Sequence, residues 1–304
     1  MSAVVEVSDL RKTYGKVVAV DGVSFLVQEG EIFGMVGPNG AGKTTTIECI
    51  EGLRRPDSGQ VLLLGEDPAK SHAEIAERIG IQLQESAIPA RLRVREALAL
   101  FGSFYRHQVD PEDLLQRMGL AEKKRAPFAK LSGGQKQRLF IALALINQPQ
   151  VVFFDELTTG LDPQARRAMW DLVRDIRQQG RTVFLTTHSM EEAERLCDRV
   201  AIIDHGKIVA LDTPEALVRS LDAEERLILT IPDAPAELPL ADLPQVERLE
   251  RSGDRVTVYG KDEGLAGRVV IALEKAGIRF QDLRTEQPSL EDVFLALTGR
   301  EMRE

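Results

Sequence analysis

Residues 37–46 read Gly37-Pro38-Asn39-Gly40-Ala41-Gly42-Lys43-Thr44-Thr45-Thr46, directly after the apolar segment 32–36, Ile-Phe-Gly-Met-Val. Nothing in the run is suited to packing a core. The spacing Gly37-x-x-x-x-Gly42-Lys43-Thr44 is that of a phosphate-binding loop, and the context expected of one surrounds it: a buried strand before, a helix over 44–51 after. The composition follows from the physics. Backbone N–H groups must converge on phosphate oxygens, and glycine permits both the dihedrals and the close approach. The following helix adds roughly half a positive charge at its N-terminus. On this reading Lys43 reaches the outer phosphates, Thr44 sets its hydroxyl on Mg²⁺, and the loop from Gly37 to Thr45 wraps the nucleotide. A flexible turn between strand and helix is the duller reading; it does not account for strand, spacing and helix together.

Binding alone does not imply hydrolysis. Residues 151–156, Val-Val-Phe-Phe-Asp-Glu, add that: four apolar residues for a central strand and two carboxylates at its end. Asp155 is placed to hold Mg²⁺ through water, and Glu156 to orient and deprotonate the attacking water. Beside a phosphate loop, an acidic strand end that merely faces solvent is the weaker account. A third signal is residues 131–138, Leu-Ser-Gly-Gly-Gln-Lys-Gln-Arg. Ser132 with Gln135 three residues later is a capping box that opens a helix over 135–146. A cap does not need Gly133 and Gly134, which leave amides bare at a helix N-terminus for a second phosphate contact.

Around these motifs the apolar pattern alternates between short strands and helices. Strands are expected at 4–10, 23–27, 32–36, 61–64 and 79–84, then at 151–154, 182–186, 200–203 and 207–211. Helices are expected at 164–178 and 190–197, and a helical stretch at 94–118 is punctuated by Pro111. Strands separated by helices imply a mainly parallel sheet covered on both faces. The fold class expected is therefore α/β: a P-loop core, an antiparallel N-terminal β lobe, a helical subdomain over about 85–146, and a small C-terminal α+β domain. The boundary falls near residue 220, giving domains 1–220 and 221–304. The second has strands at 227–230, 246–249, 256–259 and 279–283 and helices at 265–275 and 290–298.

Three motifs in this order resemble the ATP-binding subunit of an ABC transporter, over residues 4 to about 220. The resemblance implies further roles. Tyr14, in Leu10-Arg-Lys-Thr-Tyr-Gly, matches the aromatic that stacks on adenine; a half-buried turn residue is the alternative. Gln84 matches the glutamine that touches Mg²⁺ and the attacking water, although Gln82 lies on the same strand face and the assignment can slip by two. Asp162, in Gly160-Leu161-Asp162-Pro163, matches a loop that crosses to a second subunit. His188 matches the histidine on the terminal phosphate; a plain helix-start residue after the apolar strand 183–185 is the alternative. Family members pack head to tail, so ATP lies between Lys43 of one copy and Ser132, Gly133, Gly134 and Gln135 of another copy or a paralogue. A separate integral-membrane permease receives the motion at the helical subdomain. One departure stands out: Leu157 occupies the place where the family usually has proline. Residues 287–299, Gln-Pro-Ser-Leu-Glu-Asp-Val-Phe-Leu-Ala-Leu-Thr-Gly, resemble the end of daunorubicin-resistance-type exporter ATPases, or else simply pack the small domain with Leu290, Val293, Phe294 and Leu297.

Composition narrows the class. The 304 residues are 43% hydrophobic, enough for a large core. No apolar run approaches the ~20 residues of a membrane span, and the N-terminus lacks a secretory signal, so the expected location is cytoplasmic; the resemblance implies a peripheral place on the inner membrane face through the permease. Net charge is −9, and residues 221–304, with 18 acidic against 11 basic residues, carry most of it. That argues against nucleic acid as a partner. A soluble ABC ATPase acting on ribosomes or DNA usually carries two phosphate loops, a coiled-coil insertion or basic extensions, and this sequence has none. An importer ATPase shares the core motifs; the tail argues for export. Cys49 and Cys197 have no metal-ligand spacing and are expected as buried thiols. His72, His107 and His205 are expected at the surface, Met169 and Trp170 in packing.

Overall fold

The computed structural model describes residues 2–82, 88–221, 225–232, 238–240, 243–244, 246–260, 264–286 and 288–299. The chain divides into two compact units, Met1–Pro214 and Glu215–Glu301, leaving aside the last three residues.

The first unit opens with two long strands, β1 (Ala3–Tyr14) and β2 (Val17–Gln28), paired antiparallel. They lead to β3 (Ile32–Val36), α1 (Lys43–Ile50) and β4 (Ser58–Leu63). After α2 (His72–Ala76) and β5 (Ile79–Gln82) come the helices α3 (Val94–Gly102), α4 (Pro111–Arg117) and α5 (Gly133–Leu145). The chain then alternates through β6 (Val151–Asp155), α6 (Pro163–Gln178), β7 (Thr182–Thr187), α7 (Met190–Leu196), β8 (Arg199–Asp204) and β9 (Lys207–Asp212). Two sheets result. A three-stranded antiparallel sheet has the order β2-β1-β4, and a six-stranded sheet the order β5-β6-β7-β3-β8-β9, parallel except for β9. This is the α/β class expected from the alternating pattern. All five residues of β3 and of β6 and all six of β7 are buried, as strands covered on both faces must be. Phe25 of β2 stacks on Phe33 of β3 with centroids 5.1 Å apart, and Phe184 touches both Phe33 and Phe153. This aromatic seam joins the antiparallel lobe to the parallel sheet.

Several boundaries differ from the sequence expectation for identifiable reasons. The stretch 94–118 is two helices, because residues 103–110 leave the helix and Asp110 restarts it. The Asp110 carboxylate accepts from Glu112 N at 2.8 Å, and Pro111 stands at the first helical position. β1 and β2 extend well beyond their apolar stretches, since their outer residues pair in the ladder while facing solvent. Helix α5 starts at Gly133 rather than Gln135.

The end of β1 is clamped by Asp57. Its carboxylate accepts from Lys12 Nζ, Thr13 N and Thr13 Oγ1, each at 2.7 Å. The Lys12 ammonium first, then the Thr13 hydroxyl and amide, hold the Asp57 carboxyl down at about 2. A depressed folded value makes this contribution present above the unfolded carboxylate range and lost as pH falls through about 2. Asp57→Asn is therefore expected to lower Tm at neutral pH, with the difference from wild type vanishing near pH 2, which thermal unfolding at several pH values checks.

The second unit begins with α8 (Pro214–Ser220), whose first residue closes the preceding unit, and contains β10 (Glu225–Thr230), β11 (Val246–Ser252), β12 (Arg255–Gly260), α9 (Leu265–Lys275), β13 (Gln281–Glu286) and α10 (Leu290–Thr298). Its four strands are antiparallel in the order β11-β12-β10-β13. Leu265, Val269 and Leu273, one helical face of α9, pack with Leu227, Leu229, Val256 and Val258. Arg226 of β10 reaches Asp292 of α10 at 2.7 Å.

Candidate active site

Three parallel strands end side by side, and each end carries part of one crevice. β7 lies between β6 and β3, with Asp155 paired to Thr186 and Val36 to Thr187. Crevices outside the carboxyl ends of such strands are where α/β sheets bind ligands. The end of β7 holds both neighbours: Gly37 N donates to Thr187 O at 3.3 Å, and Glu156 N to Thr186 O at 3.1 Å.

The loop after β3 needs its glycines at two points. A Cβ on Gly37 would stand 2.2 Å from Ile203 O, and Gly42, at φ 108°, would place one 2.3 Å from Ala19 O. The chain then enters α1, whose first residue is Lys43. The Lys43 ammonium is buried and donates to Gly37 O at 2.8 Å and Pro38 O at 3.1 Å. Burial pushes its pKa down, against the nearby Glu156 and Asp155 carboxylates.

Glu156 is the hub. Its Oε1 lies 3.6 Å from Lys43 Nζ and 3.5 Å from His188 Nδ1, and its Oε2 accepts from Thr159 Oγ1 at 3.3 Å. The backbone there is left-handed, φ 51°, a conformation that a non-glycine residue holds only when its surroundings fix it. The buried Leu157 that follows and the hydrogen bond to Thr186 O supply that fixation where a proline is absent. Asp155 beside it is buried, which pushes its carboxyl up; hydrogen bonds from the Thr186 and Thr44 hydroxyls oppose the shift, Glu156 adds to it and Lys43 lowers it. A threonine hydroxyl in contact with a carboxylate is a donor set that fits Mg²⁺, which takes few protein oxygens and leaves the remaining positions to phosphate and water.

The remaining candidates occupy the margins. Tyr14 ends β1, 41% exposed, with the Arg54 guanidinium 5.3 Å and the Lys12 ammonium 5.8 Å from the ring centroid. Ser132 caps α5: its Oγ accepts from Gln135 N at 3.3 Å and its amide donates to Gln135 Oε1 at 3.1 Å. Ser132 and Gly133 are exposed, so this helix end lies at the surface. Asp162 caps α6 by accepting from Ala165 N at 2.9 Å and is also exposed. Gln84 lies outside the described residues; Gln82 is buried at the end of β5.

Sequence reasoning missed three contributors. Thr186 hydrogen-bonds Asp155, Thr159 hydrogen-bonds Glu156, and Glu192 accepts from Thr158 Oγ1 at 2.8 Å and Trp170 Nε1 at 2.9 Å. For Thr186 the threonine pair that ends β7 marks a polar strand end, but nothing in the sequence names its partner. Cys49 and Cys197 are buried free thiols, as expected, with burial pushing Cys49 up to about 11.

The family model described as "ABC transporter" matches residues 20–159. A Nod factor export ATP-binding protein I from Paraburkholderia xenovorans (strain LB400) is 41% identical over 99% of both chains. The protein of the same description from Rhizobium meliloti (strain 1021) is 40% identical over 99% of this chain and 89% of its own. Among solved structures, an ATP-binding subunit of an ABC transporter superposes with TM-score 0.65 at 29% identity, over 72% of this chain and 93% of that one. A dimeric post-hydrolysis ATP-binding cassette bound to ADP and Pi shares the fold, with TM-score 0.61 at 24% identity, over 69% of this chain and 98% of that one. With the strand-end crevice and the full-length similarity in agreement, the chain belongs to the ABC transporter family, as one of its exporter-type ATP-binding subunits.

Proposed function

We propose that two copies of this chain, or this chain and a paralogue, close head to tail over two ATP molecules beneath a separate membrane permease, and that the cycle drives export. Similarity to export ATP-binding proteins over 99% of both chains carries this reading. In this reading the transport path belongs to the permease; among the described residues no helix is long and apolar enough to cross a membrane.

In this scheme the amides from Gly37 to Thr45 and the Lys43 ammonium hold the phosphates, and the exposed part of the Tyr14 ring meets the adenine. Thr44 and Asp155, with Gln84, would hold Mg²⁺, which when bound neutralises charge on the outer phosphates. A terminal phosphate at Lys43 takes over the charge that Glu156 otherwise balances there. That frees the Glu156 carboxylate to accept a proton from water, with His188 on the phosphate side of it. The exposed end of α5, from Ser132 to Gln135, presents the Gly133 and Gly134 N–H groups and partial positive charge to the phosphate of the opposite copy. Asp162 borders the same interface. Because ATP binds the closed pair better than the separated chains, it shifts the equilibrium toward closure, and hydrolysis releases it.

The test is purification of the tagged chain from membranes of its source cells, followed by reconstitution in liposomes. The expected result is an integral membrane protein in fixed ratio to the chain and ATP hydrolysis that rises in its presence. Recovery with ribosomes instead, and hydrolysis unaffected by the membrane protein, would overturn the reading.

A further inference from the structure

Glu192 is a buried carboxylate that the hydrolytic scheme does not use. It lies on α7 and is 2% exposed. One oxygen, Oε1, accepts from donors on two other segments: Thr158 Oγ1 at 2.8 Å and, from α6, Trp170 Nε1 at 2.9 Å. Burying a carboxylate is costly unless hydrogen bonds offset the lost water, and an apolar side chain would fill the same space without that cost. The two donors therefore hold the reason for an acid at this position.

The donors differ in what they anchor. Thr158 follows Glu156 and Leu157 in a pair of turns, closed by Thr159 N to Glu156 O at 3.3 Å and Leu161 N to Thr158 O at 3.2 Å. Leucine at 157 leaves free a φ that proline would lock, so these turns depend on their side-chain anchors. Glu192 lies in the first turn of α7, and its amide donates at 3.2 Å to Ser189 Oγ, the cap directly after His188. His188 Nδ1 and Glu156 Oε1 are 3.5 Å apart. The chain from 156 to 158, the Thr158–Glu192 hydrogen bond, the chain from 192 back to 188 and the His188–Glu156 contact thus form one closed ring. Opening the buried hydrogen bond frees the backbone on both sides of that contact. Trp170 stands outside the ring and braces Glu192 from α6.

We propose that Glu192 is a positioning residue for hydrolysis: through Thr158 it holds the Glu156 carboxylate and the His188 imidazole in register, a role that rests on the function proposed above. It acts through Thr158 and the α7 cap, not on the nucleotide. Lys43 and the loop from Gly37 are held from β3 and β7 instead, so the effect falls on turnover and spares nucleotide binding.

The test uses the full chain and Thr158→Val, which keeps the shape of threonine and removes the hydroxyl. Its kcat for ATP hydrolysis should fall about 100-fold, as for a misplacement of about 1 Å, with KM within about threefold of wild type. Thr158→Ser restores the hydroxyl and should bring kcat back to within about threefold of wild type. Glu192→Leu should lose as much as Thr158→Val, and the double variant no more than either alone, since the pair acts as one unit. Trp170→Phe removes the other donor and should lower Tm while leaving kcat within about threefold of wild type. Trp170 is the chain's one tryptophan, so its indole N–H resonance reports on the shared oxygen, and Thr158→Val should shift it by ending the competition for Oε1. Losses that add in the double variant, a kcat loss in Trp170→Phe equal to that in Thr158→Val, no recovery in Thr158→Ser, or an unmoved indole resonance would each overturn positioning through Thr158. A wild-type chain that does not hydrolyse ATP would overturn the functional reading and this role with it; a hydrolysing wild type with an unimpaired Thr158→Val would overturn this role alone.

Discussion

Glu156→Gln is expected to lower ATP hydrolysis by about 100- to 10,000-fold, the range for loss of a positioned general base, while ATP still binds. The amide keeps the size of the carboxylate and can still accept from Thr159 Oγ1, as Glu156 Oε2 does at 3.3 Å. The left-handed backbone at φ 51° is set by the hydrogen bond to Thr186 O and by the buried Leu157, neither of which the substitution touches. What disappears is the negative charge 3.6 Å from Lys43 and 3.5 Å from His188. The Lys43 ammonium is then balanced less well by the protein and better by a phosphate, so nucleotide affinity should hold or rise. With hydrolysis blocked, the variant should accumulate as an ATP-bound dimer. Steady-state hydrolysis with equilibrium ATP binding and light scattering reads all three quantities. Hydrolysis at the wild-type rate would remove Glu156 from the role of base.

The crevice was legible in the sequence to the extent that its parts are local. The phosphate loop, Asp155 and Glu156 announce themselves by spacing after apolar runs, because each sits where a buried strand ends. The mainly parallel sheet followed from continuous apolar strands, and the antiparallel lobe from shorter alternating ones. What escaped depends on residues that meet only in three dimensions. Thr186 reads as one β-branched residue in a strand, and nothing in the sequence joins it to Asp155, 31 positions earlier. Glu192 looks like one of several surface acids on an amphipathic helix, yet it is buried against Thr158 and Trp170. Glu51 only closes a helix in the sequence pattern, and nothing in that pattern marks it as buried, which it is. The outer halves of β1 and β2 were missed because a strand that exposes polar residues on one face carries a weak apolar signal.

Ser132→Arg is expected to abolish closure of the pair while leaving ATP affinity of the separate chain unchanged. Ser132 is exposed and caps α5 through Gln135 N, with Gly133 and Gly134 behind it. The two glycines leave amides uncovered, and a long side chain at 132 fills the space through which a phosphate would approach them. Lys43, Thr44 and Asp155 are untouched, so the half of the site within one chain survives. Two charge-assisted hydrogen bonds lost at each site amount to at least about 3 kcal/mol, which corresponds to roughly a 100-fold loss of hydrolysis. Removing the cap costs about 1 kcal/mol of helix stability in itself, and Ser132→Asp separates the two effects. Aspartate caps a helix as well as serine does but sets a negative charge against the incoming phosphate, so it should keep the melting temperature and still lose closure. Light scattering with Mg-ATP in the Glu156→Gln background should then show a dimer for the parent and monomers for both serine variants. Dimers in all three would mean that the α5 end does not face the nucleotide. An equal loss of ATP affinity by the separate chain would mean that Ser132 serves the site of its own copy rather than its neighbour's.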